Sequence, residues 1–371
     1  MNNYTSDNSQ KNPGLGQTIK QDFKEGDIFH TVKKDFKSLK EFYIDLEKKK
    51  RLDNMNPIER WFYVAWWILK GMILRLTPAR RILLIIGIFF LFTSKFDITS
   101  NGNKFQTSIN GGGVIGGTII LVVLMLELKD KLLAKDELYE GRKIQQALMP
   151  LESPETPGWS TWLFMRSANE VSGDLVDYIK IDSERNGFII ADVSGKGLKA
   201  ALLTTKLQST VRALASDFEL PKLVAKVNQI FHRDSLRNIF ASLLFIELLS
   251  DKGELKFINA GHLPPILINS DGLQEMPKGE AALGIIQDVK YNENKLELKS
   301  GDVFVAYTDG ITEARNEKGF FYGSERYLTL LPLLKNKDVK EIGQAILSDV
   351  DKFSGRATTN DDISLIVIKK C

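Results

Sequence analysis

The chain has 371 residues, 43% of them apolar and 26% charged, with a formal net charge of +3. These fractions exclude wholesale disorder and leave room for one large domain or two smaller ones. Its one cysteine, Cys371, is the last residue, which excludes an internal disulfide, and the three histidines, His30, His232 and His262, lie too far apart for a histidine-rich zinc site.

Residues 1–26 are polar and rich in Asn, Gln, Lys and Gly, the composition of a mobile tail, and no apolar core of a secretory leader follows the start. Residues 27–80 read as a cytoplasmic helical and interfacial region. Phe29, Val32, Phe36, Leu39 and Phe42 recur at helical spacing over Ile28 to Arg51, and Trp61, Phe62, Tyr63, Trp66 and Trp67 precede Lys70 and Arg75. Residues 1–81 carry 16 Lys and Arg against 10 Asp and Glu. Such a surplus suits acidic lipid or nucleic acid, and the apolar segments beside it favour lipid over nucleic acid.

Ile82 to Phe92 and Val114 to Leu126 are apolar runs, and with their flanks they predict a two-helix transmembrane hairpin over 81–128. Two buried core helices are the alternative. Arg75, Arg80 and Arg81 precede the first run, and Lys129 and Lys131 follow the second. By the positive-inside rule both ends of a multi-pass anchor then face the cytoplasm at the plasma membrane. Residues 129–150 form a charged helical linker, with Leu128, Leu132 and Tyr139 along one edge. It reads either as a solvated connector or as a short coil joining a homodimer.

Pro150, Pro154 and Pro157 end that helix, and residues 151–371 have the texture of one α+β domain. Strands are expected at 162–166, 178–181, 187–191, 240–248, 255–259, 265–269, 303–307 and 364–368, and helices at 198–214, 222–237 and 339–353. The focal stretch is GFIIADVSGKG, 187–197. A buried strand ends on Asp192, and a small-residue turn leads into a helix, so the carboxylate is placed to hold a hard divalent cation or simply to cap. A phosphate-binding loop is excluded, because Ile190 stands where its first Gly must be.

Three further acidic sites share this texture: Asp174 with Asp177, Asp309 before Gly310, and Asp361 with Asp362 ahead of the closing strand. Singly, each is an ordinary turn. Gathered in one cleft they would repel, and oxygen-only ligands would call for magnesium or manganese. Two such ions can activate water and stabilise a leaving oxygen in phosphoryl transfer.

The segments ANEVSGDLVDY (168–178), DVSGKG (192–197), NAGHLPP (259–265), YTDGITE (307–313) and NDDIS (360–364) occur in this order. Together they resemble the SpoIIE/RsbU branch of the PPM, or protein phosphatase 2C-like, serine/threonine phosphatases. QQALMP (145–150) resembles that family's lead-in helix. The resemblance implies an αββα sandwich of two antiparallel sheets flanked by helices, and two Mn2+ or Mg2+ ions. Asp192 would bridge the ions, the carbonyl of Val193 would add a ligand, and Asp309 and Asp361 would complete the shell. Asp174 would be the additional acidic ligand, with Asp177 a ligand or its support. Asp192 and Asp309 are the catalytic candidates. Ser172 departs from the family's usual glycine, and His262 reads as a turn residue in preference to a general acid. The implied reaction is in-line attack of water on the phosphoserine or phosphothreonine of a signalling protein, such as a bacterial regulator of the anti-anti-sigma type. A catalytically idle phosphoprotein-binding module and a membrane-bound nucleotidyl cyclase are the rival readings.

Overall fold

A computed structural model describes residues 39–371 except 41–42, 45, 54, 94–95, 98–107, 110, 151–153, 155, 237, 250–252 and 358–360. The expected tail over 1–26, most of the first helical stretch and most of the loop between the apolar runs lie outside these residues. The chain divides into two compact units, Met1–Asp130 and Lys131–Cys371.

The first unit contains α1 (Leu46–Asp53), α2 (Pro57–Arg75) and α3 (Pro78–Thr93), a two-residue pair β1 (Phe96–Asp97) and β2 (Ser108–Ile109), and the start of α4 (Gly111–Leu148). Pro57 and Pro78 open their helices, where the missing N–H costs nothing. Ile44, Leu52, Val64 and Ile68 make a small core. α3 and α4 touch backbone to backbone where Gly116 meets the carbonyl of Gly87, a contact with no room for a Cβ. Arg80 on α3 holds Glu127 at 3.0 Å and Asp130 at 2.7 Å on α4.

The transmembrane hairpin expected over 81–128 is not supported. Among the described residues no helix is long and apolar enough to cross a membrane. The 16 residues of α3 rise ~24 Å, short of the ~30 Å hydrocarbon layer. In α4 the apolar run meets Glu127, Lys129, Asp130 and Lys131.

The second unit takes in the end of α4 and then β3 (Trp159–Arg166), β4 (Asp174–Lys180), β5 (Arg185–Val193), α5 (Leu198–Leu214), α6 (Leu220–Asp234), β6 (Ala241–Leu249) and β7 (Glu254–Ala260). It continues with β8 (Ile266–Asn269), β9 (Gly272–Glu275), β10 (Asn294–Glu297), β11 (Val303–Tyr307), the single turn α7 (Asp309–Thr312), α8 (Ser324–Leu330), a 3-10 turn (Leu331–Leu334), α9 (Val339–Ser354) and β12 (Ile363–Lys370). Two five-stranded antiparallel sheets result, in the orders β10-β7-β6-β5-β4 and β3-β12-β11-β8-β9. β9, β10 and α8 were not expected from sequence. β9 and β10 are four-residue edge strands too short to show a period.

Three buried layers follow from strand alternation. On β5, Phe188 and Ile190 point between the sheets, where they meet Val176, Leu244, Ile246, Phe304, Ile366 and Ile368. Ile189, Ala191 and Val193 point the other way, into a layer shared with α5 and α6. On the far side Val303, Val305, Leu365 and Val367 pack on α8 and α9. A strand covered on both faces must be apolar at every position, which is why 188–191 carries no polar residue. This is the expected αββα sandwich of antiparallel sheets and flanking helices.

Candidate functional site

The inter-sheet parity carries on beyond the apolar residues at one end of the sandwich and there becomes polar. Asp192 follows Phe188 and Ile190 on β5, and Asp174 precedes Val176 and Tyr178 on β4. The two aspartates are paired residues in the β4–β5 ladder. From the other sheet Thr308 follows Phe304 and Ala306, and Ser364 precedes Ile366 and Ile368. Asp309 opens α7, and Asp361 stands two residues before β12. Gly310 allows this convergence, because its backbone lies against the carbonyl of Asp362 with no space for a Cβ.

Asp174 is buried, and its Oδ2 accepts from the hydroxyls of Thr308 at 2.9 Å and Ser364 at 2.6 Å. Burial and the nearby Asp192 nonetheless push its pKa well above the usual carboxylate range, against those two hydrogen bonds. Asp192 is pushed up to about 7, first by burial and then by repulsion from Asp309, Asp361 and Asp362, with Lys196 acting in the opposite sense. Asp309 is also raised, by burial and by Asp361 and Glu313. Lys196 lies 3.2 Å from Asp361.

This chemistry fits a hard divalent cation: oxygen donors only, carrying negative charge that one lysine does not balance. Among the described residues no group of three His, Cys, Asp or Glu side chains stands close enough together to hold an ion as it lies.

Not every sequence candidate joins the cluster. Asp177 has the opposite parity to Asp174, so it points into the helix-facing layer. There it is fully buried in a two-pronged ion pair with Arg212, at 2.6 and 2.7 Å. Asp174 and Asp177 were expected ahead of their strand; both lie within β4. Val193 ends β5, its side chain in the core and its N–H donating to Gly173 at 3.1 Å. His262 is buried, its backbone clamped by the side chain of Asn259 at 2.7 and 3.0 Å and its Nδ1 2.9 Å from the Ser242 hydroxyl. Burial lowers its pKa to about 4, so the ring is neutral near pH 7.

Sequence reasoning missed the supports. Asp362 accepts from the Ala168 N–H at 2.7 Å, the Gly173 N–H at 2.9 Å and the Ser172 hydroxyl at 2.7 Å. Ser172 thus replaces the expected glycine with a buried tie between two strand-end segments. Gln145 on α4 accepts from the Ser172 N–H and donates to its carbonyl. No local pattern could reveal contacts between residues so distant in sequence.

Beside the carboxylates lies an open cleft of ≈ 420 Å³, walled by Asp192, Phe240, Ser242, His262, Lys278 and Asp309 among others. Lys278 stands on a firmly held loop, since Gly279 presses on the carbonyl of Asn259 with no room for a side chain, and Glu280 donates back to that carbonyl at 3.0 Å.

Comparison with known proteins places these features in context. A family profile described as stage II sporulation protein E (SpoIIE) matches residues 182–370. Protein IcfG of Synechocystis is 26% identical over 312 residues, covering 74% of this chain and 48% of that protein. The phosphoserine phosphatase RsbU of Bacillus subtilis is 28% identical over 189 residues, covering 50% of this chain and 56% of that protein. The chain thus spans about half the length of the curated relatives it matches. Among solved structures, the SiaA-PP2C domain of Pseudomonas aeruginosa superposes with a TM-score of 0.57 at 20% identity, over 65% of this chain and 98% of that one. At that identity the likeness concerns the fold.

Proposed function

Because the chain belongs to the stage II sporulation protein E (SpoIIE) family, we propose that its second unit is a divalent-metal-dependent protein serine/threonine phosphatase. The observation that carries this reading is the convergence of Asp174, Asp192, Asp309 and Asp361 at one end of the sandwich, where burial and mutual repulsion raise the pKa of Asp174, Asp192 and Asp309. Asp192, Asp309, Asp361, Asp174 and the Val193 carbonyl would hold two Mn2+ or Mg2+ ions. When bound, the ions would supply charge neutralisation and an activated water for attack on phosphorus.

The chain's own groups do the rest. Thr308 and Ser364 fix the Asp174 carboxylate through one oxygen. Asp362 ties the Ser172–Gly173 turn to the foot of β12, which keeps Asp174 in register with Asp192. Lys278, in the cleft wall, offers a cation to the phosphate dianion of the substrate. The substrate we propose is the phosphoserine or phosphothreonine of a signalling protein, of the anti-anti-sigma type in a bacterial pathway.

We further propose that the first unit attaches the enzyme to the inner face of the plasma membrane, with the second unit in the cytoplasm. Trp61, Phe62 and Trp66 on α2 and Ile85, Phe89 and Phe92 on α3 are exposed, beside Lys70 and Arg75. Aromatic and apolar faces next to basic residues suit a lipid interface. Exposed Leu132, Leu133 and Tyr139 on the second unit's part of α4 support pairing of two copies through that helix.

The decisive test is hydrolysis of a phosphoserine peptide by the full chain with manganese, with chelator, and in the Asp192→Asn variant. Turnover that persists in chelator or in the variant would falsify the reading.

A further inference from the structure

Nine large apolar residues between 151 and 371 are exposed among those described. Phe240 lines the cleft, and five more, Leu198, Leu202, Leu236, Ile285 and Ile286, lie on segments linked to it or to one another. Their neighbourhood is fixed by backbone contacts. The turn after Asp192 is stitched to Phe240, with the Ser194 N–H donating to the Phe240 carbonyl at 2.9 Å and the Phe240 N–H to the Ser194 hydroxyl at 3.0 Å. Leu198 and Leu202 lie one turn apart on α5. Lys206, one turn further, pairs with Asp234 at 2.6 Å, two residues before Leu236. On the other flank Ala241 and Leu283 exchange hydrogen bonds at 2.8 and 3.0 Å, which brings the 284–286 turn beside Phe240.

That turn is rigid. Buried Asn228 donates to the carbonyls of Ile286 and Gln287 at 2.9 Å each and accepts from the Gly284 N–H at 2.9 Å. Two isoleucines, 54% and 53% exposed, are therefore held out to solvent by a satisfied buried amide. A set of exposed apolar side chains on ordered, mutually tied segments suits an interaction surface, since its ordering cost is met before the partner arrives.

The occupant follows from continuity. Phe240 belongs to the rim and also lines the cleft with Asp192, Asp309 and Lys278. A chain whose phosphorylated side chain enters that cleft must lay its neighbouring residues across the mouth. We infer that the rim from Leu198 to Ile286 is the docking surface for the protein substrate and takes a large apolar side chain next to the phosphorylated residue. This assignment rests on the phosphatase reading of the cleft. It gives that reading a specificity: Lys278 for the phosphate, and the rim for an apolar flank.

The test compares two phosphoserine peptides, identical except for leucine or serine at the positions flanking phosphoserine, with p-nitrophenyl phosphate, a small substrate that fits within the cleft, whose lining includes neither Leu202 nor Ile286. The full chain with manganese should show kcat/KM about tenfold higher for the leucine-flanked peptide, the worth of one buried leucine. In the Leu202→Ser/Ile286→Ser double variant that preference should vanish, while p-nitrophenyl phosphate turnover stays within about twofold of the parent. Equal turnover of the two peptides by the parent chain, or a preference that survives the double variant, overturns the assignment. Loss of self-association or of vesicle binding in the variant, with the preference intact, gives the rim to a second copy or to lipid. If none of the three compounds is hydrolysed, the phosphatase reading fails instead, and fluorescence anisotropy of the two labelled peptides still reads the preference.

Discussion

The side-chain amide of Gln145 brackets Ser172, accepting from its N–H at 3.0 Å and donating to its carbonyl at 3.1 Å. The last turns of α4 thereby hold the segment that carries Gly173 and Asp174. Gln208 and Arg212 both donate to the Leu148 carbonyl at 2.9 Å and tie the helix end to α5. Gln145→Ala should loosen this turn and leave Asp174 out of register. The expected outcome is a severalfold weaker manganese requirement constant in titrations of activity, together with a loss of about 1–2 kcal/mol of stability from two unmade hydrogen bonds. Gln145→Glu, which keeps the acceptor and loses the donor, should fall between the two.

Asp192→Asn and Asp309→Asn should each lower kcat by on the order of 10²–10³-fold or more, with the circular dichroism of the folded chain retained. Asp177→Asn is the matched control. It lies on the opposite face of β4 from Asp174, so manganese affinity measured by calorimetry should be unchanged, although stability falls.

Arg212→Ala leaves the fully buried Asp177 carboxylate without its cation. Removing one partner of a buried pair typically costs about 3–5 kcal/mol. Arg212 is itself partly exposed, which lets water reach the pair, so a loss of about 2–3 kcal/mol in urea unfolding is expected. Unchanged stability would mean the pair contributes nothing to docking β4 on α5.

In the absence of metal, stability should fall as pH rises from about 4 to about 7. Asp192 keeps its proton to about 7 when folded, against an ordinary value of 3.8, and Asp174 is displaced in the same direction. Between those values the folded state binds more protons than the unfolded one, so raising pH favours unfolding. The melting temperature of the chelated protein should drop across this window by a few degrees. Manganese should reverse the slope, and Asp192→Asn should flatten it. A melting temperature that rises steadily through the window sinks this account of the cluster.

Gly310→Ala should be among the most damaging single substitutions in the second unit. The added methyl would collide with the carbonyl of Asp362, and Asp309 and β12 would have to part. The expected signature is loss of activity with reduced manganese affinity, in a chain that retains its two sheets by circular dichroism.

Local periodicity was enough to place α5 at 198–214 and β11 at 303–307, because an amphipathic helix and a strand covered on both faces each write their environment into consecutive residues. The apolar run 188–191 placed β5 with its end expected on Asp192, one residue short of Val193, where the strand stops, and the order of the acidic segments pointed to one family. Sequence could not decide which aspartates meet. Asp174 and Asp177 sit three residues apart on one strand, yet strand parity sends one to the inter-sheet end and the other to Arg212, 35 positions away. Ser172 and Asp362 lie 190 positions apart and meet only because β4, the edge strand of the first sheet, packs against β3 and β12 of the second. The apolar runs after Pro78 read as bilayer-spanning, whereas the helices they form stop short or meet charge. The rim beside the cleft was invisible for the same reason: a one-dimensional pattern records whether a residue is apolar, and only packing decides whether it is covered.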